Sequence, residues 1–237
     1  MKIHEFNNEK GVYKFELNEI ETEFHAHPAV EIIFSENGNI ELETPTSKYI
    51  NISFAVIEHN ILHKIKSKKG NVLLLMMECN LSHFQKLISN FDISLLDGIY
   101  VEANNTDRAE IIEEIAGTHN RSIIPITANK RIQKCLNYLN STSAEYKVML
   151  EVLRSETNLS ESRLSHLFKK EMGISIKKYL VWSKLKRAFE GVLYKNMNMY
   201  EVSIESGFYD QAHLSKSFKQ MLGISPSDVY NSRMLQV

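Results

Sequence analysis

Short apolar runs rich in Ile, Val and Phe alternate with turn residues over the first third of the chain. The clearest runs are residues 30–34, 39–42 and 50–54, and turn signals lie between them. Short strands at this spacing are typical of a small antiparallel barrel or sandwich. The pattern therefore predicts a β-barrel domain over residues 1–80.

The spacing of apolar residues becomes helical after the last of these runs. It follows a helical period in residues 82–88 and again in residues 107–115. We expect a helical linker over residues 81–127, whose apolar stripes either seal the barrel or pair with a second chain. Pro125 marks a break at the end of this linker, so a helical domain is predicted over residues 128–237.

The helical half contains an internal repeat with an offset of 50 residues. Segment 164–175 aligns with segment 214–225, and seven of the twelve positions are identical. Two copies are too few for a solenoid, which normally needs three or more to bury its faces. The repeat therefore predicts two copies of one small helical unit.

Each copy carries the signals of a short helix between two loops. Ser160 and Asp210 precede the copies at the position where a side-chain oxygen caps a helix. Gly173 and Gly223 follow at the position that favours a left-handed residue. One face of each copy is apolar, and the opposite face is small, polar or basic. A short helix with two such faces can enter the major groove of DNA.

The segments around the two copies complete two helix-turn-helix units. Residues 147–156 and 199–206 are predicted as the helices that pack against the first and second copy. Residues 176–194 form one continuous helical segment between the units, about 30 Å long at 1.5 Å per residue. This length is close to the roughly 34 Å between successive major-groove faces on one side of B-DNA. One chain could therefore read two adjacent groove segments.

Charge is divided unequally between the two halves. Residues 1–127 carry 11 basic and 19 acidic residues, whereas residues 128–237 carry 17 basic and 10 acidic ones. The overall net charge of −1 thus combines a net charge of −8 with one of +7. A basic domain joined to an acidic domain indicates that only the helical half meets a polyanion.

Composition narrows the class of protein without identifying an activity. The hydrophobic fraction of 43% and the charged fraction of 24% are ordinary for a soluble globular protein. The longest apolar run, residues 72–77, is too short to cross a bilayer, and the first residues lack a secretion signal. Cys79 and Cys135 form no paired motif. These features favour a cytoplasmic protein with no membrane partner.

Two stretches of the helical half resemble the recognition regions of AraC/XylS-type transcriptional regulators. Residues 159–173 are similar to the first region, and residues 207–219 with the Gly-Ile-Ser-Pro sequence at 223–226 are similar to the second. The resemblance implies a two-domain α+β protein, with a cupin-like sensor barrel followed by an all-α double helix-turn-helix domain. Arg154 and Ser203 depart from it, because the family usually has alanine at both positions.

The resemblance and the polar face together give twelve candidate DNA-binding residues. Lys169 and Lys219 occupy the same position in the repeat, which favours phosphate contact over a merely solvated face. The Gln211 amide can bond adenine N6 and N7, or else remain an exposed residue of the first turn. For His166 and His213, phosphate contact and base contact are both open. The full set is Ser162, Arg163, Ser165, His166, Lys169, Lys170, Gln211, Ala212, His213, Ser215, Lys216 and Lys219.

A polar cluster in the predicted barrel has the spacing of metal ligands. His25, His27 and Glu31, with Gly38 after them, have the His-x-His-x3-Glu-x6-Gly spacing of the first cupin motif. Because residues 25, 27 and 31 share parity, a regular strand would point them to one face, with His63 from a later strand as a fourth group. Imidazoles and a carboxylate that converge in this way could hold a divalent metal.

Three interpretations of His25, His27, Glu31 and His63 are open. They can line an effector pocket, as in the sensor domains of the resembled family, belong to the structural core, or bind a metal. His63 lacks the preceding glycine and proline of the second cupin motif, so we predict no cofactor and no enzyme activity. The alternatives are a metal-dependent cupin enzyme with a helical appendage and a DNA-binding regulator without an effector.

The prediction from the sequence is therefore an effector-responsive, sequence-specific DNA-binding transcription regulator. Its expected partners are double-stranded DNA, a small-molecule effector and a second copy of the chain in a homodimer. An activator of this class would also contact RNA polymerase.

Overall fold

A computed structural model of the chain describes residues 2–68, 70–103, 108–121, 127, 129–142, 144–195 and 197–229. The chain divides into two compact units, one made mainly of residues up to 125 and the other mainly of residues from 126 onward. Pro125, the predicted break, lies outside the described residues. Within the described ranges, no helix has both the length and the apolar character needed to cross a membrane.

Antiparallel strands in two sheets form the N-terminal unit. In chain order the described strands are β1 (Lys2–Asn7), β2 (Val12–Leu17), β3 (Ile20–Glu21), β4 (Val30–Ser35), β5 (Ile40–Glu43), β6 (Lys48–Ile52), β7 (Phe54–Ile57), β8 (Lys64–Ser67), β9 (Val72–Met77) and β10 (Ile99–Glu102). The first sheet has the order β1-β2-β9-β4-β7-β10, and the second has the order β3-β8-β5-β6. The expected β domain made of short antiparallel strands is therefore confirmed.

Residues 50–54 form a corner between the two sheets, so the prediction of one strand there was wrong. Strand β6 ends at Ile52 in the second sheet, and β7 begins at Phe54 in the first. Asn51 has a φ of 56°, and the Ser53 N–H donates to the carbonyl oxygen of Glu102 at 2.9 Å. The alternation of apolar and polar residues runs through this corner unbroken, which is why the pattern concealed it.

The segment after residue 80 contains helices and one additional strand. Helices α1 (Leu81–Ser89) and α2 (Arg108–Arg121) flank β10, which pairs with β7, whereas the sequence predicted only helices here. Phe84 of α1 and Ile112 and Ile115 of α2 lie in one buried cluster with Ile32 and Leu75 of the first sheet. The apolar stripes of both helices therefore complete the core of the N-terminal unit.

The C-terminal unit consists of helices. They are α3 (Lys130–Ser141), α4 (Tyr146–Thr157), α5 (Glu161–Met172), α6 (Ile176–Tyr194), α7 (Met199–Glu205) and α8 (Gln211–Leu222), followed by a helical turn at residues 226–229. Helix α6 has the predicted bounds, and α4 and α7 end within one residue of theirs. Local signals explain this agreement, since Ser175 caps α6 by accepting the Lys178 N–H at 3.2 Å.

If α2 is part of the N-terminal core, truncating its buried face should destabilise that unit. We expect Ile112→Ala to lower the free energy of unfolding by about 3 kcal/mol, because it leaves a cavity in a packed core. Urea denaturation followed by circular dichroism measures this change. The control Glu114→Ala alters an exposed residue of the same helix and should change stability by less than about 0.5 kcal/mol. Equal, small effects of both variants would contradict the assignment of α2 to the core.

Candidate nucleic-acid interface and buried histidine site

Helices α5 and α8 begin in the same way. The Ser160 side-chain oxygen accepts the Arg163 N–H at 3.4 Å, and an Asp210 carboxylate oxygen accepts the His213 N–H at 2.7 Å. These bonds satisfy backbone N–H groups that a helix start leaves without a partner. The predicted caps are thus present at the start of both helices.

The inner faces of α5 and α8 are attached to the same helix. Phe168 of α5 contacts Tyr179 of α6 with ring centroids 5.8 Å apart, and Phe218 of α8 stacks on Phe189 of α6 at 5.2 Å. Phe168 and Phe218 are equivalent in the 50-residue repeat, and both are fully buried. Tyr179 and Phe189 are ten residues apart, about 15 Å along the helix. Helix α6 therefore fixes the two repeated helices at separate points along its length.

The outer faces of α5 and α8 carry the predicted DNA-binding residues. Ser165 and Ser215 are partly exposed, and the other ten candidates are exposed. On α5 the exposed candidates are Ser162, Arg163, His166, Lys169 and Lys170, and on α8 they are Gln211, Ala212, His213, Lys216 and Lys219. The departure at Arg154 leaves the packing intact, because its side chain is exposed on α4.

Basic side chains on α6 bond the end of α3 and the turn after α7, a role that the sequence analysis missed. The Arg187 guanidinium donates to the Asn140 carbonyl at the end of α3 at 3.2 Å and to the Ser206 carbonyl after α7 at 3.5 Å. The Lys184 ammonium donates to the Gly207 carbonyl at 2.5 Å. Burial lowers the pKa of both basic groups. Cations suit the C-terminal carbonyls of helices, where the helix dipole is negative.

The four N-terminal candidates converge inside the N-terminal unit. His25, His27, Glu31 and His63 have exposed fractions of 3%, 2%, 2% and 1%, and one potential ligand atom from each lies within 4.8 Å of the others. Within the described part of the chain, these are the residues that form such a cluster. The sequence singled out the same four residues, but their roles as effector-pocket residues or metal ligands remain predictions.

The backbone that carries these side chains is not the single regular strand that the sequence predicted for residues 25, 27 and 31. Only Glu31 lies on a regular strand, β4. His25 and His63 form an isolated antiparallel bridge in which each N–H donates to the other's carbonyl, at 2.9 and 3.0 Å. His27 lies in the connection between that bridge and β4. Two separate pieces of backbone therefore bring the side chains together.

Backbone carbonyls orient all three imidazole rings. The Nδ1 atoms of His25, His27 and His63 lie 2.9 Å from the carbonyl oxygens of Glu23, Ala29 and Ile61 respectively. A carbonyl oxygen can only accept a hydrogen bond, so each Nδ1 carries the hydrogen and each ring has its Nε2 on the other side. Nε2 of His27 and Nε2 of His63 approach the same Glu31 oxygen, at 2.9 and 3.1 Å.

The cluster strongly perturbs its ionisable groups. Burial, together with the nearby His63 and His27, lowers the pKa of His25 to about 3. Burial alone would raise the pKa of the Glu31 carboxyl, but its bonds to His27 and His63 outweigh burial and lower that pKa. Burial opposes the charged form of His63, yet its bond to Glu31 raises the pKa of that imidazole. Such shifts are common at functional sites.

A neighbouring turn contains polar groups that sequence analysis did not single out. The Asn60 N–H donates to the His27 carbonyl at 2.8 Å, and Asn60 has a φ of 63°. Among the described residues, no hydrogen-bond partner satisfies the buried Nδ1 of His59 or the buried side-chain amide atoms of Asn60. A buried polar group without a partner is uncommon and needs a structural or functional explanation. In the sequence, the signal that could have indicated these groups was the adjacent pair His59 and Asn60 between two predicted strands.

The C-terminal unit is similar to known helix-turn-helix domains. Residues 153–232 match a family model described as a helix-turn-helix domain. The arabinose operon regulatory protein of Escherichia coli is 32% identical over 112 residues, which cover 46% of this chain and 37% of that protein. The lactose operon transcription activator of Staphylococcus xylosus is 28% identical over 100 residues, 42% of this chain and 36% of that protein. The chain thus matches little more than a third of the length of these two relatives.

A solved structure resembles both units. Apo ToxT from Vibrio cholerae strain SCE256, crystallised as a point variant, has a TM-score of 0.60 and covers 93% of this chain and 97% of its own. The sequence identity is 11%, so this likeness concerns the fold alone. The predicted α+β fold class is confirmed. The C-terminal unit matches the helix-turn-helix family model and is similar in sequence to operon regulators.

Proposed function

We propose that the chain is a sequence-specific DNA-binding transcription regulator whose N-terminal unit responds to an effector. The observation that carries the proposal is the equivalence of α5 and α8, which have the same type of cap, the same buried Phe and the same exposed polar face. The relatives named as an operon regulatory protein and a transcription activator match 46% and 42% of this chain and support the proposal.

Charge supports DNA as the partner. The half that contains α5 and α8 has a net charge of +7, whereas the other half has −8. Exposed Lys169, Lys170 and Lys219 lie near the ends of the two helices. Contacts of this kind with phosphates position a protein on the duplex, while contacts with base edges give specificity. We assign the phosphate role to Lys169, Lys170 and Lys219. The base-edge role is assigned to Ser162, Ser165, His166, Gln211, Ala212, His213, Ser215 and Lys216.

The attachment to α6 supports simultaneous binding of two groove segments. Arg187 bonds the ends of α3 and α7, and Tyr179 and Phe189 hold the two repeated helices. Such cross-helix contacts limit independent rotation of the two units, so one orientation can suit both grooves. A second copy of the chain would double the site, and RNA polymerase is the partner that an activator would contact. Both partners belong to the proposal.

Effector control is assigned to the N-terminal unit. ToxT has been crystallised with an unsaturated fatty acid bound, which supports a ligand-responsive role for a protein of this fold. The buried His25, His27, Glu31 and His63 are the candidate effector residues. The cluster also favours a second candidate, a metal-dependent enzyme. Its nearly complete burial argues against that alternative, because a substrate would need access to the ligands.

DNA affinity should depend steeply on salt. The duplexes for this test are selected from a random library by the full chain. We expect a plot of log Kd against log salt concentration to have a slope of about 5, if roughly six phosphates are neutralised. Lys169→Ala and Lys219→Ala should each reduce that slope by about 0.9. Fluorescence anisotropy across a salt series measures it, with Lys68→Ala, an exposed lysine of the acidic half, as the control. A flat response of the unmodified chain would refute DNA binding through phosphates.

Gln211 should contribute to sequence preference. Gln211→Ala removes an amide that can bond two adenine atoms, so we expect about 1–3 kcal/mol less discrimination at one base pair. Repeating the selection with the variant, and measuring each single-base substitution, gives the affected position. Gln220→Ala is the matched control, because Gln220 is exposed and lies nine residues along the same helix, on its opposite side. An unchanged preference in Gln211→Ala would remove this residue from the set of base readers.

Arg187 should hold the end of α3 and the end of α7 against α6. We expect Arg187→Met to lower the stability of the C-terminal unit by about 2 kcal/mol, because it removes hydrogen bonds from a charged donor to backbone carbonyls. It should also weaken binding to a two-groove duplex more than binding to either half-site alone. Urea denaturation and anisotropy with full and half duplexes measure the two effects. Lys177→Ala, an exposed change on the same helix, should leave both unchanged.

A further inference from the structure

We propose that His25, His27, Glu31 and His63 hold one divalent first-row transition-metal ion, and that this ion is the effector of the regulator. The proposal rests on the proposed function for its regulatory part, whereas the metal site stands on its own geometry. It commits to an ion in place of an organic effector.

The spacing of the ligand atoms suits a single ion. Two atoms that each lie about 2.0–2.2 Å from one ion are about 3–4 Å apart. The Glu31 oxygen lies 2.9 Å from Nε2 of His27 and 3.1 Å from Nε2 of His63, and the whole group lies within 4.8 Å. Small movements of side chains would therefore be sufficient to place all four atoms around one ion.

The rings are oriented as in known metal sites. A metal-bound histidine almost always donates its second ring N–H to a carbonyl or carboxylate, which fixes the tautomer and the direction of the free nitrogen. Three independent rings here have that arrangement, each through Nδ1 and a carbonyl two residues away in sequence. A cluster that served only to fill the core would not require three rings to share it.

The hydrogen-bond partners of His27 and His63 call for a positive charge, either a second ring proton or a bound cation. His27 and His63 each face an oxygen acceptor at both ring nitrogens, a carbonyl at Nδ1 and the Glu31 carboxylate at Nε2. A neutral imidazole has one N–H and one lone pair, so it cannot donate to both acceptors. An ion bound by Nε2 of both rings and by Glu31 would replace these contacts with lone pairs directed at a positive charge.

Burial and space favour an ion over an organic ligand or an enzyme substrate. All four side chains are at least 97% buried, and their ligand atoms lie within 4.8 Å of one another. An ion fits between such atoms, whereas an organic effector would have to displace them. Three imidazoles and one carboxylate match zinc, iron, cobalt or nickel better than magnesium or calcium, which prefer oxygen ligands.

The position of the ligands gives the ion a means of regulation. Glu31 lies on β4 of the first sheet, whereas His63 directly precedes β8 of the second. An ion bound to both would replace the Glu31–His63 hydrogen bond between the two sheets with coordination bonds. A ligand shifts a conformational equilibrium by the difference in its affinity for the two states, which such a link can supply.

Metal binding is tested on the full chain purified without a histidine tag and stripped with a chelator. When the stripped chain is loaded with Zn²⁺, we expect one Zn²⁺ per chain to remain bound after gel filtration, as measured by elemental analysis. Loading with Co²⁺ should give visible absorption bands. Zn²⁺ at 100 times its Kd should raise the Tm of the N-terminal unit by about 10 °C. His4→Ala is the matched control, because His4 is in the same domain, pairs with Glu16 at 2.8 Å and lies outside the cluster.

Glu31→Gln should lose the ion while keeping the shape of the side chain. We expect its Tm and visible spectrum to be unchanged by metal, and His25→Gln serves as the second variant if Glu31→Gln fails to fold. Less than about 0.1 equivalents of Zn²⁺ on the folded unmodified chain would overturn the metal site. Retention of one tightly bound ion by both folded variants would also overturn it, because the ion would then be bound elsewhere.

Regulation is tested by comparing DNA affinity in the stripped and Zn²⁺-loaded states, with duplexes selected in each state. We expect a change of at least about tenfold for the unmodified chain and for His4→Ala, a coupling typical of allosteric effectors. Addition of Zn²⁺ should not change the affinity of Glu31→Gln. Equal affinity of both states with one ion bound would overturn the effector role. Failure to bind any duplex in either state would refute the proposed function, while the measured stoichiometry would still establish the metal site.

Discussion

The C-terminal unit depends on one constraint: a short surface helix can present a polar face only if its opposite face is firmly packed. Isolated helices of about twelve residues are marginal in water, so α5 and α8 must be stabilised by their buried stripes. Phe168 and Phe218 provide that packing against a common helix, at Tyr179 and Phe189. The distance between the two exposed faces is consequently a property of α6, and a change that bends α6 would affect both faces together.

Much of this unit could be predicted from the sequence, because its determinants are local. A capping oxygen, an apolar stripe and a glycine with positive φ, at 71° for Gly173 and 69° for Gly223, all act within about one turn of the helix. The contacts of Arg187 could not be predicted in this way. Its acceptors belong to Asn140 and Ser206, distant in sequence, and no short motif relates them.

The N-terminal unit was less predictable, because its determinants are not local. Individual strands such as β4 follow their apolar runs, but β9 lies between β2 and β4, an order that local patterns do not contain. The corner at Ser53 and the strand β10 depend on each other, since the Ser53 N–H bonds the carbonyl of Glu102. The histidine spacing correctly singled out four residues that converge, although by two backbone segments instead of one strand.

The buried cluster is an exception to the apolar pattern of the strand that contains Glu31. Glu31 lies among Val30, Ile32 and Ile33, and all four residues are buried. A carboxylate in such a position costs free energy that apolar side chains of similar volume would avoid. Local patterning and tertiary packing agree at the apolar residues Val30, Ile32, Ile33 and Phe34 of β4. Functional sites are where such agreement is expected to fail. Because three oriented imidazoles converge on that carboxylate, a bound cation accounts for the exception more economically than a purely structural role.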